Sequence, residues 1–172
     1  MPEQASQPTN KNFLSPSGFR FTLNRTPNIN YFCKAATVPD LSIGRADVPT
    51  PFSTMPQPAD KLLFGDMSIT FNIDEDMANY REIFDWMSAL AYPENFNQRK
   101  ELKRTQTDLG GVFSDATLII MTSSYSPNVK IDYKDLYPIG LSGVEFDLDQ
   151  SDVTYLQATA TFAYKYFNVA TV

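Results

Sequence analysis

Histidine is absent from the 172-residue chain. That excludes Ser–His and Cys–His nucleophile pairs and the common zinc sites, all of which depend on imidazole. Cysteine occurs once, at Cys33, so the chain cannot form an intrachain disulfide or a thiolate-rich metal site. Its setting, YFCKA, reads as strand, and without a basic partner it is expected to be a small apolar filler rather than a nucleophile. Glycine is scarce, at 7 residues. The one adjacent pair, Gly110–Gly111, has no Lys-Ser/Thr after it, and no GxGxxG or GxSxG motif occurs. No apolar run approaches the roughly 18 residues that span a bilayer. The opening MPEQASQPTNKN is polar, so no secretory signal is expected there. Positive charge is short as well: 14 basic against 20 acidic residues leave a net charge of −6. Such a chain is a poor ligand for nucleic acid, whose binding rests on phosphate neutralisation. Carboxylate-only chemistry, as in glycosidases or Mg²⁺ sites, stays open.

What is present is apolar patterning. Hydrophobic residues make up 42% and aromatics 13%, enough for one domain with a core. We expect a flexible arm over residues 1–17 and a single domain over 18–172. GFRFTLNR places Phe19, Phe21 and Leu23 on one strand face. TPN at 26–28 reads as a turn, and INYFCKAATV as a second strand paired with the first in a hairpin. The segment 38–58 carries Pro39, Pro49, Pro51, Pro56 and Pro58, which predicts extended loop with at most a short edge strand around 41–48. Met67, Ile69, Phe71 and Ile73 then alternate with Asp66, Ser68, Thr70 and Asn72 as in a half-buried strand. Met77, Tyr80, Phe84, Met87 and Ala91, widened by Ile83 and Leu90, trace a helical stripe that Pro93 ends.

ATLIIM (116–121) reads as a strand buried on both faces. NVKIDYKDLYPIGLSGVEFDLDQ reads as two strands joined at YPIGLSG. In TYLQATATFAYKYF, alternation puts Leu156, Ala158, Ala160, Phe162, Tyr164 and Tyr166 on one face. Roughly seven strands, one substantial helix and no βαβ alternation predict a mainly β fold, an antiparallel sandwich or open barrel with one flanking α-helix.

Three charged groups are candidates for function. Asp74, Glu75 and Asp76 sit at the predicted strand-to-helix junction. Adjacent residues do not converge on one point, and acids at a helix start favour the positive end of its dipole, so a capping role outranks metal binding or catalysis. Glu145, Asp147 and Asp149 share one face if VEFDLDQ is a strand. That face is either ordinarily solvated or a surface that must not adhere to another polyanion. RKELKR, with Arg99, Lys100, Lys103 and Arg104, is either a solvated loop or a contact patch for an acidic neighbour.

Four motifs, in order and covering about residues 18–167, resemble the tail tube protein family of contractile-tailed bacteriophages of the T4 type. They are FRFTL…INYFCKAATVPDL, the proline-bearing loop after it, GDMSITFNIDEDMANYREIFDWM, and KDLYPIGLSGVEFDLDQSDVTYLQATATFAYKYF. The resemblance implies two packed antiparallel sheets flanked by a helix. It implies a structural virion protein without catalytic residues or cofactors, built as a homohexamer whose rings stack into a tube and whose strands join across subunits. DNA would pass through the lumen without specific binding, with tail sheath and baseplate proteins as partners. The location would be the virion tail, assembled in the host cytoplasm, with no membrane contact. On that basis Glu145, Asp147 and Asp149, or the Ser68–Thr70–Asn72 face, would line the lumen, and Arg99, Lys100, Lys103 and Arg104 would make inter-subunit contacts. Other readings are an end ring of the same machine (a baseplate tube initiator or a terminator), a carboxylate-dependent glycosidase, and a carbohydrate-binding β-sandwich.

Overall fold

The computed structural model describes residues 11–91, 94–99, 102, 111–147, 149 and 155–172. In chain order the elements are β1 (Phe19–Leu23), α1 (Pro27–Phe32), β2 (Cys33–Ala36), β3 (Leu41–Pro49), β4 (Thr54–Phe64), β5 (Met67–Asn72), α2 (Ala78–Ala91), β6 (Ser114–Met121), β7 (Pro127–Leu141), β8 (Gln157–Ala163) and β9 (Tyr166–Thr171). Every ladder is antiparallel. The main sheet runs β1-β6-β7-β8-β5-β2, with β9 also on β7, and β3 and β4 pair separately.

The sheet folds into two leaves because β7 is long enough to serve both. Its first part, Pro127–Leu136, pairs with β6, and residues Val129–Lys134 of that part also pair with β9. Its second part, Tyr137–Leu141, pairs with β8. Near the end of the first part Asp135 takes a left-handed backbone, φ 54°, which aspartate tolerates better than most residues. Its N–H donates to Asp115 Oδ1 at 3.3 Å. A strand that bends and changes partners is how a sheet turns a corner. The sequence reading of two strands joined at YPIGLSG is therefore corrected: Tyr137-Pro138-Ile139-Gly140 lies inside the ladder.

The core fills the space between the leaves and α2. β5 buries Met67, Ile69 and Phe71 completely, as its alternation predicts. Each large side chain buried in this way contributes about 1.5–3 kcal/mol. β6 alternates too: Ala116 and Leu118 are buried while Thr117 and Ile119 are half-buried, so one face is sealed rather than both. α2 turns most of the expected stripe inward, with Ile83 buried and Tyr80, Met87 and Leu90 packed against the core, but the centre of the buried face is shifted. Asn79, Ile83, Trp86 and Ala89 are buried, whereas Phe84 is 55% exposed. The sequence-predicted stripe was rotated by roughly one residue, because a wide amphipathic helix leaves its exact facing to tertiary contacts. Those contacts centre on Trp86, whose indole N–H donates to Val112 O at 3.2 Å and whose ring lies 6.3 Å from Phe162.

Three further expectations are corrected. β1 and β2 do not form a hairpin. β1 pairs with β6 and β2 with β5, and a helical turn, α1, covers not only the expected turn but also residues 29–32, which the sequence reading gives to the second strand. Pro27 starts that turn, since its fixed φ suits the first helical position, and Ile29 seals it against the core. The edge strand expected around 41–48 is present as β3, but the rest of the proline-bearing segment is not loop: β4 pairs with β3 in a long hairpin. The closing alternation is interrupted after Ala163. β9 then folds onto β7, leaving Tyr166 44% exposed and bringing Phe167 into the core's edge.

Candidate functional site

The feature that a lone chain does not account for is the β3–β4 hairpin. Apart from half-buried Ala59 and Phe64, every residue of both strands is exposed. Its apolar side chains include Leu41, Ile43, Leu62 and Leu63 near the base and Val48, Met55 and Phe52 near the tip, with Phe52 fully exposed. The base is fixed to the body. Gly65 N–H donates to Asp40 O at 3.0 Å, and the Tyr164 hydroxyl donates to Gly65 O at 2.8 Å. Phe64 stacks edge-on with Tyr164 and Phe167, which also pack against Tyr133. Beyond that aromatic anchor, each of the two strands pairs, among the described residues, only with the other. A two-stranded hairpin is marginal in water, and exposed apolar strands are an association hazard unless a partner covers them.

The sheet adds unpartnered edges. Among the described residues, β2 pairs only with β5 and β9 only with β7. The outward faces of the two leaves differ in chemistry. The face carried by β5 and β8 shows hydroxyls and amides: Ser68 bonds Thr37 at 3.0 Å and Thr70 bonds Thr159 at 3.1 Å. The face carried by β6 and β7 is ionic, with Lys134–Asp115 at 2.5 Å and Lys130–Asp132 at 2.9 Å. Burial would raise the Asp132 carboxyl, but hydrogen bonds from Lys130 and Thr117 and the charges of Lys130 and Lys134 outweigh it and hold it below its usual value. The Asp115 hydrogen bond, then its charge, raises Lys134.

The sequence-nominated residues fall apart into different places. Asp74 caps α2: its Oδ1 accepts the Asn79 N–H at 3.2 Å, and Asn79 in turn donates through Nδ2 to Asn72 O at 2.8 Å. Glu75 and Asp76 are exposed beside it. The trio is thus a junction, as its spacing implied, carried by one member rather than three. Glu145, Asp147 and Asp149 are exposed, but β7 ends at Leu141 and residues 142–147 are not in a strand. The even-spaced stripe is therefore corrected: Phe146 between the acids is 74% exposed, and Asp147 Oδ1 accepts the Asp149 N–H at 2.9 Å. Arg99 is exposed; Lys100, Lys103 and Arg104 lie outside the described residues. Cys33 is half-buried, and burial pushes its thiol up to about 11, the state of an inert filler. A cleft of about 490 Å³ lies along α2, lined by Glu82, Asp85, Trp86 and Ala89 with Arg25 and Thr26 opposite. Its floor is Trp86, with the Arg25 guanidinium 4.9 Å above the ring.

Sequence reading missed the hairpin. The available signal was an apolar residue beside each proline cluster, Val48 before Pro49 and Met55 before Pro56; it was masked by the rule that prolines interrupt ladders.

A family model described as phage tail tube protein matches residues 5–170. No curated protein sequence matches the chain. Among solved structures, the cap that terminates the tube of the anti-feeding prophage is similar with TM-score 0.64 at 10% identity, covering 100% of both chains. A chain of the PVC sheath–tube complex, an extracellular contractile injection system in its extended state, is similar with TM-score 0.64 at 13% identity, covering 97% of this chain and 100% of that one. The PVC sheath/tube terminator gives 0.61 at 9% identity, covering 93% and 98%. At such identities the likeness is one of fold.

Proposed function

This chain belongs to the phage tail tube protein family, and from that premise we propose that copies of it form hexameric rings stacked into the tube of a contractile tail, through which DNA leaves the particle. The role is structural, and no turnover is assigned to it. The observation that carries the reading is the β3–β4 hairpin, anchored at its base and uncovered along both faces. A second copy turns that liability into an assembly element. The free edges of β2 and β9 suit strand pairing between neighbours in a ring. The family's setting makes sheath and baseplate proteins the other partners, with Arg99, Lys100, Lys103 and Arg104 as a basic contact segment for an acidic neighbour. Assembly in the host cytoplasm and residence in the virion tail follow from the same reading.

A conduit must let DNA slide. Each chain adds six net negative charges, which repel phosphate rather than hold it. Glu145, Asp147 and Asp149, and the uncharged Ser68–Thr70–Asn72 face, are the groups proposed to border the lumen. The same fold also serves a tube-terminating cap, so an end ring is the alternative place in the particle; copy number separates six chains from hundreds. The test of the main reading is negative-stain microscopy of the purified protein with its mass in solution. Rings or tubes are expected; a stable monomer at high concentration would defeat it.

A further inference from the structure

The cleft along α2 holds polar groups that the fold leaves unused. Thr26 is the N-cap residue of α1, yet its side chain makes no capping hydrogen bond, although threonine at that position ordinarily bonds a nearby backbone N–H. The residue lines the cleft and is 1% exposed. Its Oγ1 has no partner among the described residues, and a buried hydroxyl left in that state costs stability. Opposite it, Glu82 spends one carboxylate oxygen on Asn28, whose Nδ2 donates to Oε1 at 2.7 Å. Its buried Oε2 has no partner among the described residues. Asp85, three residues on and therefore a neighbour on the helix surface, is exposed and joins no ion pair among the described residues. Arg25, the cation of the lining, is engaged elsewhere. Its guanidinium lies 4.9 Å from the centre of the Trp86 ring, and Nη1 donates to the Gly111 carbonyl. Burial, set against hydrogen bonds from Asn28, leaves the Glu82 carboxyl above its usual value, a direction that a cation brought to it reverses. The cleft's volume of about 490 Å³ lies within the range of small-molecule sites, roughly 300–1,000 Å³.

We propose that this cleft binds a short aliphatic diamine. One ammonium takes the Glu82 carboxylate and the Thr26 hydroxyl, the second takes Asp85, and the methylene stem lies along Trp86 and Ala89. An ammonium has three donors and no acceptor, which matches a lining whose unused groups are carboxylate and hydroxyl oxygens. A lysine side chain of another protein carries the same group but only one of it, and would leave a carboxylate unpaired. Every residue named belongs to one chain, so the site exists whether or not the chain assembles.

The test is titration of the full chain with 1,4-diaminobutane at constant ionic strength, read by calorimetry and by the fluorescence of Trp86, the chain's single tryptophan. A saturable change is expected; none up to about 10 mM would overturn the site. n-Butylamine and Nα-acetyl-lysine methylamide, each with one ammonium, should bind at least about tenfold more weakly, since each forgoes a charge-assisted contact. Equal affinity for the lysine derivative would overturn the diamine in favour of a partner's lysine. Glu82→Gln and Asp85→Asn should each weaken binding at least about tenfold, whereas Glu75→Gln, an acid outside the cleft, should change it by less than about twofold. Equal losses from all three would mean general attraction to an acidic chain and would sink the proposal. Thr26→Val should weaken binding about tenfold without lowering the unfolding midpoint of the free protein, because the hydroxyl it removes has no partner. A lowered midpoint with unchanged affinity would overturn the role given to Thr26. Mg²⁺ that displaces the diamine and reproduces its signal at lower concentration would reassign the cleft to a hard cation.

Discussion

The side chain of Asn30 completes the backbone of Leu23. Its Oδ1 accepts the Leu23 N–H at 2.7 Å and its Nδ2 donates to Leu23 O at 3.3 Å. An amide on α1 thereby stands in for a neighbouring strand on the edge of β1 that β6 leaves free. Replacing Asn30 by Ala should leave both groups of a fully buried residue unpaired and lower stability by about 1–3 kcal/mol. Denaturant midpoints check this, and an unchanged midpoint would mean that water reaches Leu23.

The facing of α2 predicts a sharp contrast between two aromatic residues. Trp86 is 1% exposed and bonded to Val112 O, so Trp86→Ala should cost about 3–5 kcal/mol. Phe84→Ala, two positions earlier on the open side, should move stability by no more than about 0.5 kcal/mol. Equal losses in thermal or chemical unfolding would restore the stripe suggested by periodicity.

Gly111 has φ 70°, and a Cβ there would run into the Leu102 carbonyl. Gly111→Ala should therefore lose about 1–3 kcal/mol or more from backbone strain. Gly143, with open space around its Cα, should accept alanine within about 0.5 kcal/mol. Urea titrations of the two variants against the parent measure the difference.

Alkaline pH should unfold the protein through its aromatic anchor. Burial, then the charges of Asp66 and Asp40, push the Tyr164 hydroxyl up from 10.0 to about 12. Burial and then the charge of Tyr164 raise Tyr133 as well. A raised folded-state value means the unfolded chain loses its proton first. The stabilisation is complete below about pH 10 and disappears as pH climbs through about 12. Phenolate absorbance should show these tyrosines ionising late and together with loss of structure. Tyr164→Phe should flatten the stability slope above pH 10, and an unaltered slope would refute the assignment.

Local pattern and tertiary pairing divided the work. Alternation at Met67, Ile69 and Phe71 was decisive because a period of two leaves one choice of buried face. The absence of histidine and the single cysteine removed histidine-dependent triads and the common zinc sites, and the order of strand, acidic junction and helix pointed to the tube family. Spacing also marked Asp74, Glu75 and Asp76 as a helix cap, since the orphan N–H groups of a helix start are a local need; the structure gives the role to Asp74.

What only tertiary structure decided is which edges meet and which faces are wanted. YPIGLSG reads as a joint between two strands, yet Tyr137–Leu141 continue β7 onto a new partner, β8, and no short window contains that partner. α2 is apolar over a wide arc, so Trp86 rather than Phe84 turned inward only once Phe162 and Val112 were in place. Prolines at 56 and 58 mark a break in any local reading. They fit a strand because hydrogen bonds alternate sides and both point away from β3, a fact fixed by the Thr50–Ser53 pairing across the apex. Local pattern marked the family and the core strands; long-range pairing decided which edges and faces the fold leaves exposed.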